Sequence, residues 1–587
     1  MTTDRRLAAL SAAFAAGDDE DEDFTICTPT KSCDFLVKND EESIKHYIEN
    51  IKDQLAAGEG ETFIEIGSCY DGSIITGLSK EDLDIAVAKN AEILEKINCK
   101  GYPLTVATKS KNKFSQVVFI RKNIDEKDFI EVRVAVVGNV DAGKSTMLGV
   151  LTHNTLDDGR GKARQCLFRH KHEFETGRTS SVGNDILGFG MDGKPVNNPD
   201  PHSGQLDWPT VCCDAAKVIT FIDLAGHEKY LKTTIFGMTG HMPDYAMLMV
   251  GSNAGIVGTT REHFSIALNL NIPVFVVVTK IDMCPENVLQ QTMKMVDRLA
   301  KSGGSNKFPV VIKNMEDVVH VARNFSSGTL CPIIQVSNVT GFNLDLLRSF
   351  MNLLPLHRGN HSDAPAEFQI DETFSVEGVG TVVSGTCTAG SITVGDTLLI
   401  GPDALGQFVP VPIKSIHRKR VPVNSIKAGQ TGSFAVKKFG RRDVRKGMVL
   451  IDPSLKPIAC TKFEADVFIL HHPTTIMSNY QAMIHAGPVR QTATLVSMDK
   501  EVLRTGDRAR VMLSFIRHPE YIKEGTRIIF REGRTKAVGI VRKIIPVERN
   551  NPVGSKTAKK GAKHVTTFFP VKNNKMNKQK GLHHAKH

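Results

Sequence analysis

The sequence predicts a multidomain chain: an α/β domain with a parallel sheet, followed by two all-β units and preceded by a small α/β or α+β unit. Three observations carry this reading. The chain has 587 residues, room for about four domains at roughly 150 residues each. Between 131 and 358, five short apolar runs alternate with helical patterns, as a parallel sheet wrapped by helices requires. From about 366 the runs become strand-like, punctuated by Gly and Asp turns, with little helical periodicity. Composition is that of an ordinary globular protein, 41% hydrophobic and 24% charged. No apolar stretch reaches the ~18 residues of a membrane span.

Taken in chain order, residues 1–23 end in the acidic run Asp18 to Asp23 and read as a disordered, cytosolic start, because transit peptides avoid such acids. Residues 24–130 form the N-terminal mixed unit. Helical stretches Glu41 to Leu55 and Ser79 to Ile97 alternate there with strands Thr62 to Ile66 and Phe114 to Arg121. The Gly67 to Ser73 loop reads as a turn. The α/β domain, 131–358, has its apolar runs at Val132–Val137, Val218–Ile222, Ala246–Val250, Val274–Val278 and Ile333–Val336, with helices at 144–152, 261–269 and 286–301. Residues 359–455 and 456–546 are the two β units, divided near Pro453 to Pro457. Residues 547–587 read as a disordered basic tail. Its last 37 positions carry nine lysines, no arginine and no acid, and so account for nine of the ten net positive charges of the chain. Such an arm suits a polyphosphate surface, nucleic acid above all, through counterion release. The 11 cysteines, an odd number without a C-x-x-C pair, read as buried or free thiols of a reducing, cytoplasmic compartment.

Four of the five apolar runs lead straight into a polar or Gly-rich motif. Open α/β sheets bind ligands beyond the carboxyl ends of their strands, so these motifs should meet in one crevice. The first run enters Gly138-Asn139-Val140-Asp141-Ala142-Gly143-Lys144-Ser145, which fits G-x-x-x-x-G-K-[ST] and continues into Thr146 on the following helix. Its glycines let backbone N–H groups close around a β-phosphate, and the helix N-terminus adds its positive end. Lys144 would reach the β- and γ-phosphates and Ser145 would ligate Mg²⁺. The second run delivers Asp223-Leu224-Ala225-Gly226-His227, a carboxylate for the Mg²⁺ shell and a glycine N–H for the γ-phosphate.

The fourth run delivers Thr279-Lys280-Ile281-Asp282. The Asp282 carboxylate can accept from both N1–H and N2–H of guanine, a donor pair that adenine lacks, while Lys280 lays its stem along base and ribose. The fifth run delivers Ser337-Asn338, placed for a backbone N–H to meet guanine O6. Together these select GTP over ATP. The interval before Asp223 is long. It holds a basic stretch, Arg160 to His172, expected to be helical, and then Gly177-Arg178-Thr179-Ser180, where Thr179 is the candidate Mg²⁺-binding threonine, ordered by the γ-phosphate. His170, Lys171 and His172 read as a solvated face. Phosphoanhydride hydrolysis needs charge neutralisation and one positioned water, and His227 is the candidate for positioning it.

These residues resemble a known family. Gly-Asn-Val-Asp-Ala-Gly-Lys-Ser, Asp-Leu-Ala-Gly-His and Thr-Lys-Ile-Asp are similar to the translational GTPases related to elongation factor Tu. Phe374-Ser-Val-Glu-Gly-Val-Gly-Thr-Val-Val-Ser-Gly385, Val394-Gly-Asp396 and Arg445-Lys-Gly447 resemble that family's second domain, a β-barrel. Phe530-Arg-Glu-Gly-Arg-Thr-Lys-Ala-Val-Gly539 resembles the closing strands of its third domain, also a barrel. His170-Lys-His-Glu, Gly177-Arg-Thr-Ser-Ser-Val-Gly-Asn184, His227-Glu-Lys-Tyr-Leu-Lys-Thr-Thr and His471-His-Pro-Thr-Thr look like the GTP-binding protein 1 and 2 subfamily.

The resemblance covers about 131–545. It implies a P-loop GTPase domain followed by two β-barrels, with GTP and Mg²⁺ as ligands, in a monomer. It further implies engagement of aminoacyl-tRNA and ribosomes, in translation surveillance or mRNA turnover alongside RNA-decay machinery. An RNA or decay-factor adaptor with little turnover is the alternative. Three departures stand out. Thr279 replaces the usual asparagine of the guanine motif, which thins its contacts. Ala142 stands where histidine is common. Arg178 precedes Thr179 in place of an apolar residue that would form a gate with the valine matching Val140, so control of His227 should differ here.

Overall fold

In the computed structural model the described residues are 34–70, 75–110, 112–123, 128–168, 171, 173, 179, 181–200, 204–302, 305, 307–356, 363–436 and 439–546. The acidic segment, the basic tail, His170, His172, Arg178 and positions 71–73 of the Gly67 to Ser73 loop lie outside them. No helix among the described residues is long and apolar enough to cross a membrane.

The N-terminal unit is a three-stranded antiparallel sheet with strands β1 (Glu61–Ile66), β2 (Cys99–Ser110) and β3 (Lys113–Lys122) in the order β1-β3-β2. Helices α1 (Glu41–Ala57) and α2 (Lys80–Lys96) accompany it. The second helix starts where Ser79 accepts from the Asp82 N–H, and it buries Leu83, Ala86, Asn90, Ile93 and Leu94. That spacing is a helical stripe. Strand β2 is not visible in the sequence pattern, because Gly101 and Pro103 interrupt its alternation and the ladder shifts register between Pro103 and Thr105. One sheet face packs under the helices through Ile64, Ile66, Val118 and Ile120. The other, through Phe63 and Phe119, joins the core of the following domain.

That domain has a seven-stranded sheet made of β4 (Ile130–Gly138), β5 (Gly183–Phe189), β6 (Lys217–Asp223), β7 (Tyr245–Gly251), β8 (Val274–Thr279), β9 (Phe308–Val311) and β10 (Leu330–Gln335). Their order is β9-β10-β8-β7-β4-β6-β5. Every pairing is parallel except β5 with β6, which runs antiparallel from Gly183↔Asp223 to Phe189↔Lys217. Strands β4, β6, β7 and β8 are buried at every position, as expected where helices cover both faces. The helices are α3 (Lys144–His153), α4 (Trp208–Asp214), α5 (Leu231–Gly240), α6 (Gly258–Asn269), α7 (Glu286–Ala300), α8 (Met315–Asn324) and α9 (Leu344–Asn352).

One expectation needs correction. Residues 160–168 of the stretch expected to be helical are not: they form bends, a turn and a single 3-10 turn, Gln165–Leu167, whereas Lys171 further on is helical. Asp157 accepts from the N–H groups of Gly159, Gly161 and Ala163, and Asp158 from those of Arg160 and Lys162. These side-chain bonds compete with helix formation.

The first β unit spans Glu367 to Ile451 as an eight-stranded sheet with a two-stranded ribbon, and the second, Cys460 to Pro546, is a closed six-stranded barrel. A buried polar seam ties the first to the α/β domain. Glu131 receives Lys419 Nζ at 2.9 Å and the Thr431 hydroxyl at 2.8 Å, while Arg418 reaches Asp128 and stacks on Phe129. Burial alone would raise the Glu131 carboxyl; Lys419, Arg418 and Arg133 outweigh that and hold it well below the usual range. The barrel leans on α5, with Ile529 in the same cluster as Leu231 and Ile235, and on α6, where Glu262 pairs with Arg531 and Lys536.

Candidate functional site

The site lies at the carboxyl ends of β4, β6, β8 and β10. Gly138 ends β4 at φ 143°, and a Cβ there would stand 2.4 Å from the Met249 carbonyl oxygen of β7. Only glycine lets the chain turn off the sheet so close to its neighbour. The loop then feeds α3, whose first residues are Lys144 and Ser145. Val140 and Asn139 are half-buried, Asp141 is exposed, and Ala142, Lys144 and Ser145 are buried. The Lys144 amine donates to Asn139 O at 2.9 Å and more weakly to Gly138 O at 3.4 Å. Burial lowers its pKa, against the pull of Asp223 and Asp141. Gly226 packs onto this group: a Cβ there would stand 2.4 Å from Lys144 Nζ and 2.7 Å from Gly138 O. The D-x-x-G glycine is therefore a close-approach residue.

Ser145, Thr179 and Asp223 come together. Ser145 Oγ lies 2.6 Å from Asp223 Oδ2 and 2.7 Å from Thr179 Oγ1, and Thr179 donates to the same carboxylate oxygen at 3.4 Å. Burial raises the Asp223 carboxyl, opposed by Ser145 and Lys144. Its other oxygen, Oδ1, is buried without a partner among the described residues. Two hydroxyls, a carboxylate and an unspent carboxylate oxygen form a hard-oxygen set of the kind Mg²⁺ takes together with water; the residues fit the ion. A cleft lined by Thr179, Glu173, Asn184 and Asp185 opens beside them.

On the base side, Thr279 is buried at the end of β8, Lys280 follows in the left-handed region (φ 62°), and Asp282 is exposed. Ser337 Oγ donates to Asp282 Oδ1 at 2.7 Å and accepts from the N–H groups of Val339 and Thr340. This fixes the Asp282 carboxylate against the loop that carries Asn338. Thr146, on the first turn of α3, is half-buried. His227 stands apart. It is exposed, its Nδ1 accepts from the Lys229 N–H at 3.1 Å, and its ring edge meets Tyr230. Among the described residues no contact joins it to the Ser145 cluster.

Two residues that the sequence reading passed over support the loop from α6. His263 Nδ1 accepts the Gly138 N–H at 3.1 Å, and Thr259 donates to Asn139 Oδ1 at 2.8 Å. They lie four apart, on one helix face. That spacing is the signal that could have found them. Burial, with help from Lys144, lowers the His263 pKa to about 4, which keeps the ring neutral and able to accept. Its folded value lies below the ordinary ~6.5, so the native loop is favoured above that pH and loses this stabilisation as pH falls from about 6.5 towards 4. Titrating unfolding stability in urea against pH checks this: His263→Phe should show a flatter slope between pH 6.5 and 4 than wild type, and an unchanged slope would remove His263 as the cause.

A phosphate-cradling loop, a magnesium-type oxygen cluster and a guanine-type carboxylate on one parallel sheet, followed by β units, define a GTPase of the elongation factor Tu class. The family model for the elongation factor Tu GTP binding domain matches residues 131–356, and that for elongation factor Tu domain 2 matches 380–451. GTP-binding protein 1 of Xenopus laevis is 56% identical over 521 residues, 89% of this chain and 79% of that one. GTP-binding protein 2 of Homo sapiens is 41% identical over 520 residues, 86% of this chain and 85% of that one. The crystal structure of a bacterial selenocysteine-specific elongation factor superposes with a TM-score of 0.51 at 18% identity, over 72% of this chain and 59% of the other. The chain belongs to the GTP-binding protein 1 and 2 family of translational GTPases.

Proposed function

We propose that this GTPase is a conformational switch of translation, with GTP hydrolysed between the 138–146 loop and the Asp223 turn. The observation that carries this reading is the convergence of Ser145, Thr179 and Asp223, from three separate segments, within 3.4 Å. Lys144 and the loop N–H groups hold the β- and γ-phosphates. Asp282 accepts from the guanine edge, Lys280 lines base and ribose, and Ser337 and Asn338 close the base side. Mg²⁺, held by Ser145 and Thr179 with Asp223 behind them, would neutralise charge on the transferring phosphoryl group. Thr179 ties the preceding segment to that cluster, and Gly226 couples the Asp223 turn to Lys144. His227, next to Gly226, turns inward to position the attacking water.

The reading extends to partners. The first β unit exposes Phe374, Val376 and Val379 along and beyond one strand. Thr381, on the next strand, bonds to the Phe439 carbonyl in a loop that continues into exposed Arg441 and Arg442. Apolar and aromatic side chains beside arginines suit the unpaired end of an RNA, and the basic tail adds nonspecific attraction. Aminoacyl-tRNA on the ribosome is the partner we propose. Single-turnover GTP hydrolysis, alone and with ribosomes plus aminoacyl-tRNA, tests it. Stimulation is expected, with a drop of about a hundredfold or more in His227→Ala. Tight GTP binding without stimulation would favour an RNA or decay-factor adaptor.

A further inference from the structure

We infer that the side-chain carboxamide of Asn338 contacts N7 of the guanine base, taking over from the asparagine that this chain's guanine motif lacks. The inference rests on the guanine site proposed above.

The starting point is Thr279. A hydroxyl has one proton to give, and Thr279 Oγ1 gives it to the Ala142 carbonyl at 2.9 Å, with the Val250 carbonyl at 3.4 Å. That bond ties β8 to the phosphate loop and leaves no donor for the base. A second donor nevertheless faces the same glycine. A Cβ placed on Gly143 would lie 3.7 Å from Thr279 Oγ1 and 3.9 Å from Asn338 Nδ2. The two side chains thus converge on one glycine of the loop. Asn338 is about nine-tenths buried, and neither its Oδ1 nor its Nδ2 is hydrogen-bonded among the described residues. The unspent Nδ2 donor of a buried amide calls for an acceptor, and a base edge supplies one.

The frame around Asn338 is fixed. Its carbonyl accepts the Asp157 N–H at 2.9 Å, and the neighbouring Ser337 hydroxyl bonds Asp282. Asp282 and Asn338 are therefore held on one scaffold with their side chains serving different edges of the base. Guanine presents N7 and O6, both acceptors, on the edge away from N1 and N2. An amide nitrogen with two N–H groups matches that edge. Because adenine also carries N7, the contact adds affinity for the purine, and Asp282 supplies the choice of guanine.

Equilibrium binding of GDP and of 7-deaza-GDP, in which N7 is replaced by CH, tests this directly. The wild-type chain should bind the analogue roughly five- to tenfold more weakly, the worth of one net hydrogen bond. Asn338→Ala should bind both nucleotides alike, at about the affinity wild type shows for the analogue. Asn338→Ala combined with Thr279→Asn should regain the preference for GDP. Equal binding of the two nucleotides by wild type, or a wild-type ratio in Asn338→Ala, would overturn the inference while leaving the guanine site standing. Failure of wild type to bind GDP at all would instead overturn the site itself. Wild type alone can refute the N7 contact, and Asn338→Asp, which keeps the shape but lacks the N–H pair, should lose the preference for GDP and assigns the contact should Asn338→Ala not fold.

Discussion

Lys144→Ala is expected to weaken guanine-nucleotide binding by about a hundredfold or more while leaving the chain folded. Lys144 is 8% exposed, and its amine sits between Gly138 O and Asn139 O with Gly226 packed on it. Burial works against its charge, and Asp223 and Asp141 offset that only in part. An ammonium held at such a cost to itself gains most from a polyphosphate, whose charge-assisted bonds contribute roughly 1.5–3 kcal/mol each. Two such bonds give the expected loss. Stability should change little, because the loop keeps its tethers through His263, Thr259 and Thr279. Displacement of a fluorescent GDP, read beside a thermal melt, checks both halves. Affinity within tenfold of wild type would show that the backbone N–H groups alone carry phosphate binding.

How much of this was legible beforehand follows from where the signal resides. Strands β4, β6, β8 and β10 are apolar runs that end in motifs and β7 is an apolar run among them, so local pattern and tertiary role coincide. The loop, Asp223 and Asp282 followed from the same coincidence; Thr179 came from its place in the interval before Asp223, and the structure brings it to Ser145 although many residues separate them. Strand β5 was missed because Gly183-Asn-Asp-Ile-Leu-Gly-Phe189 breaks its own alternation; it pairs because β6 offers an edge. Strand β9 has four residues, one of them Pro309. The helix expected from Arg160 fails over 160–168 because Asp157 and Asp158, just before it, take the backbone N–H groups. For His263 the one sequence signal is its four-residue spacing from Thr259, since its partner is a backbone N–H.

The seams between units were equally hidden, since each is assembled from residues far apart in sequence. Helix α6 shows what they can do. One face holds the phosphate loop through Thr259 and His263, and Glu262 holds the barrel through Arg531 and Lys536. A movement of the loop is thus one helix away from the barrel, by contacts that can be broken singly. The seam to the first β unit is different in kind. Glu131, Arg133, Arg418 and Lys419 are all buried or nearly so. Pulling it open would expose several charges at once while stripping each of its partners, so rearrangement should favour the α5 and α6 side.

The seam to the N-terminal unit gives the second large effect. Glu61→Ala is expected to destabilise the chain by about 3–5 kcal/mol. Glu61, from β1, is 6% exposed and lies between two fully buried cations. Its Oε1 receives Arg121 Nε at 2.7 Å and its Oε2 receives Lys217 Nζ at 2.6 Å, so one carboxylate bridges the N-terminal sheet and β6. Arg121 goes on to Gly190 O and Asn352 Oδ1, and Lys217 to the carbonyls of Asn352 and Leu354. Burial lowers the Lys217 pKa to about 8 even with Glu61 beside it. Removing the carboxylate leaves both cations buried with neutral partners only, the arrangement in which breaking an ion pair costs most. Phe63 and Phe119 share the core with Phe350 and Leu354 across the same seam, so the loss should fall on both units in a single transition. Urea denaturation followed by far-ultraviolet circular dichroism and by Trp208 fluorescence would show coincident midpoints, both lowered. A triple replacement of Glu61, Arg121 and Lys217 by Leu, Met and Met should recover much of the loss, because it removes the charges together. If Glu61→Ala lost less than about 1 kcal/mol, or if the two probes separated, the N-terminal unit would be an appendage to the GTPase domain rather than part of its core.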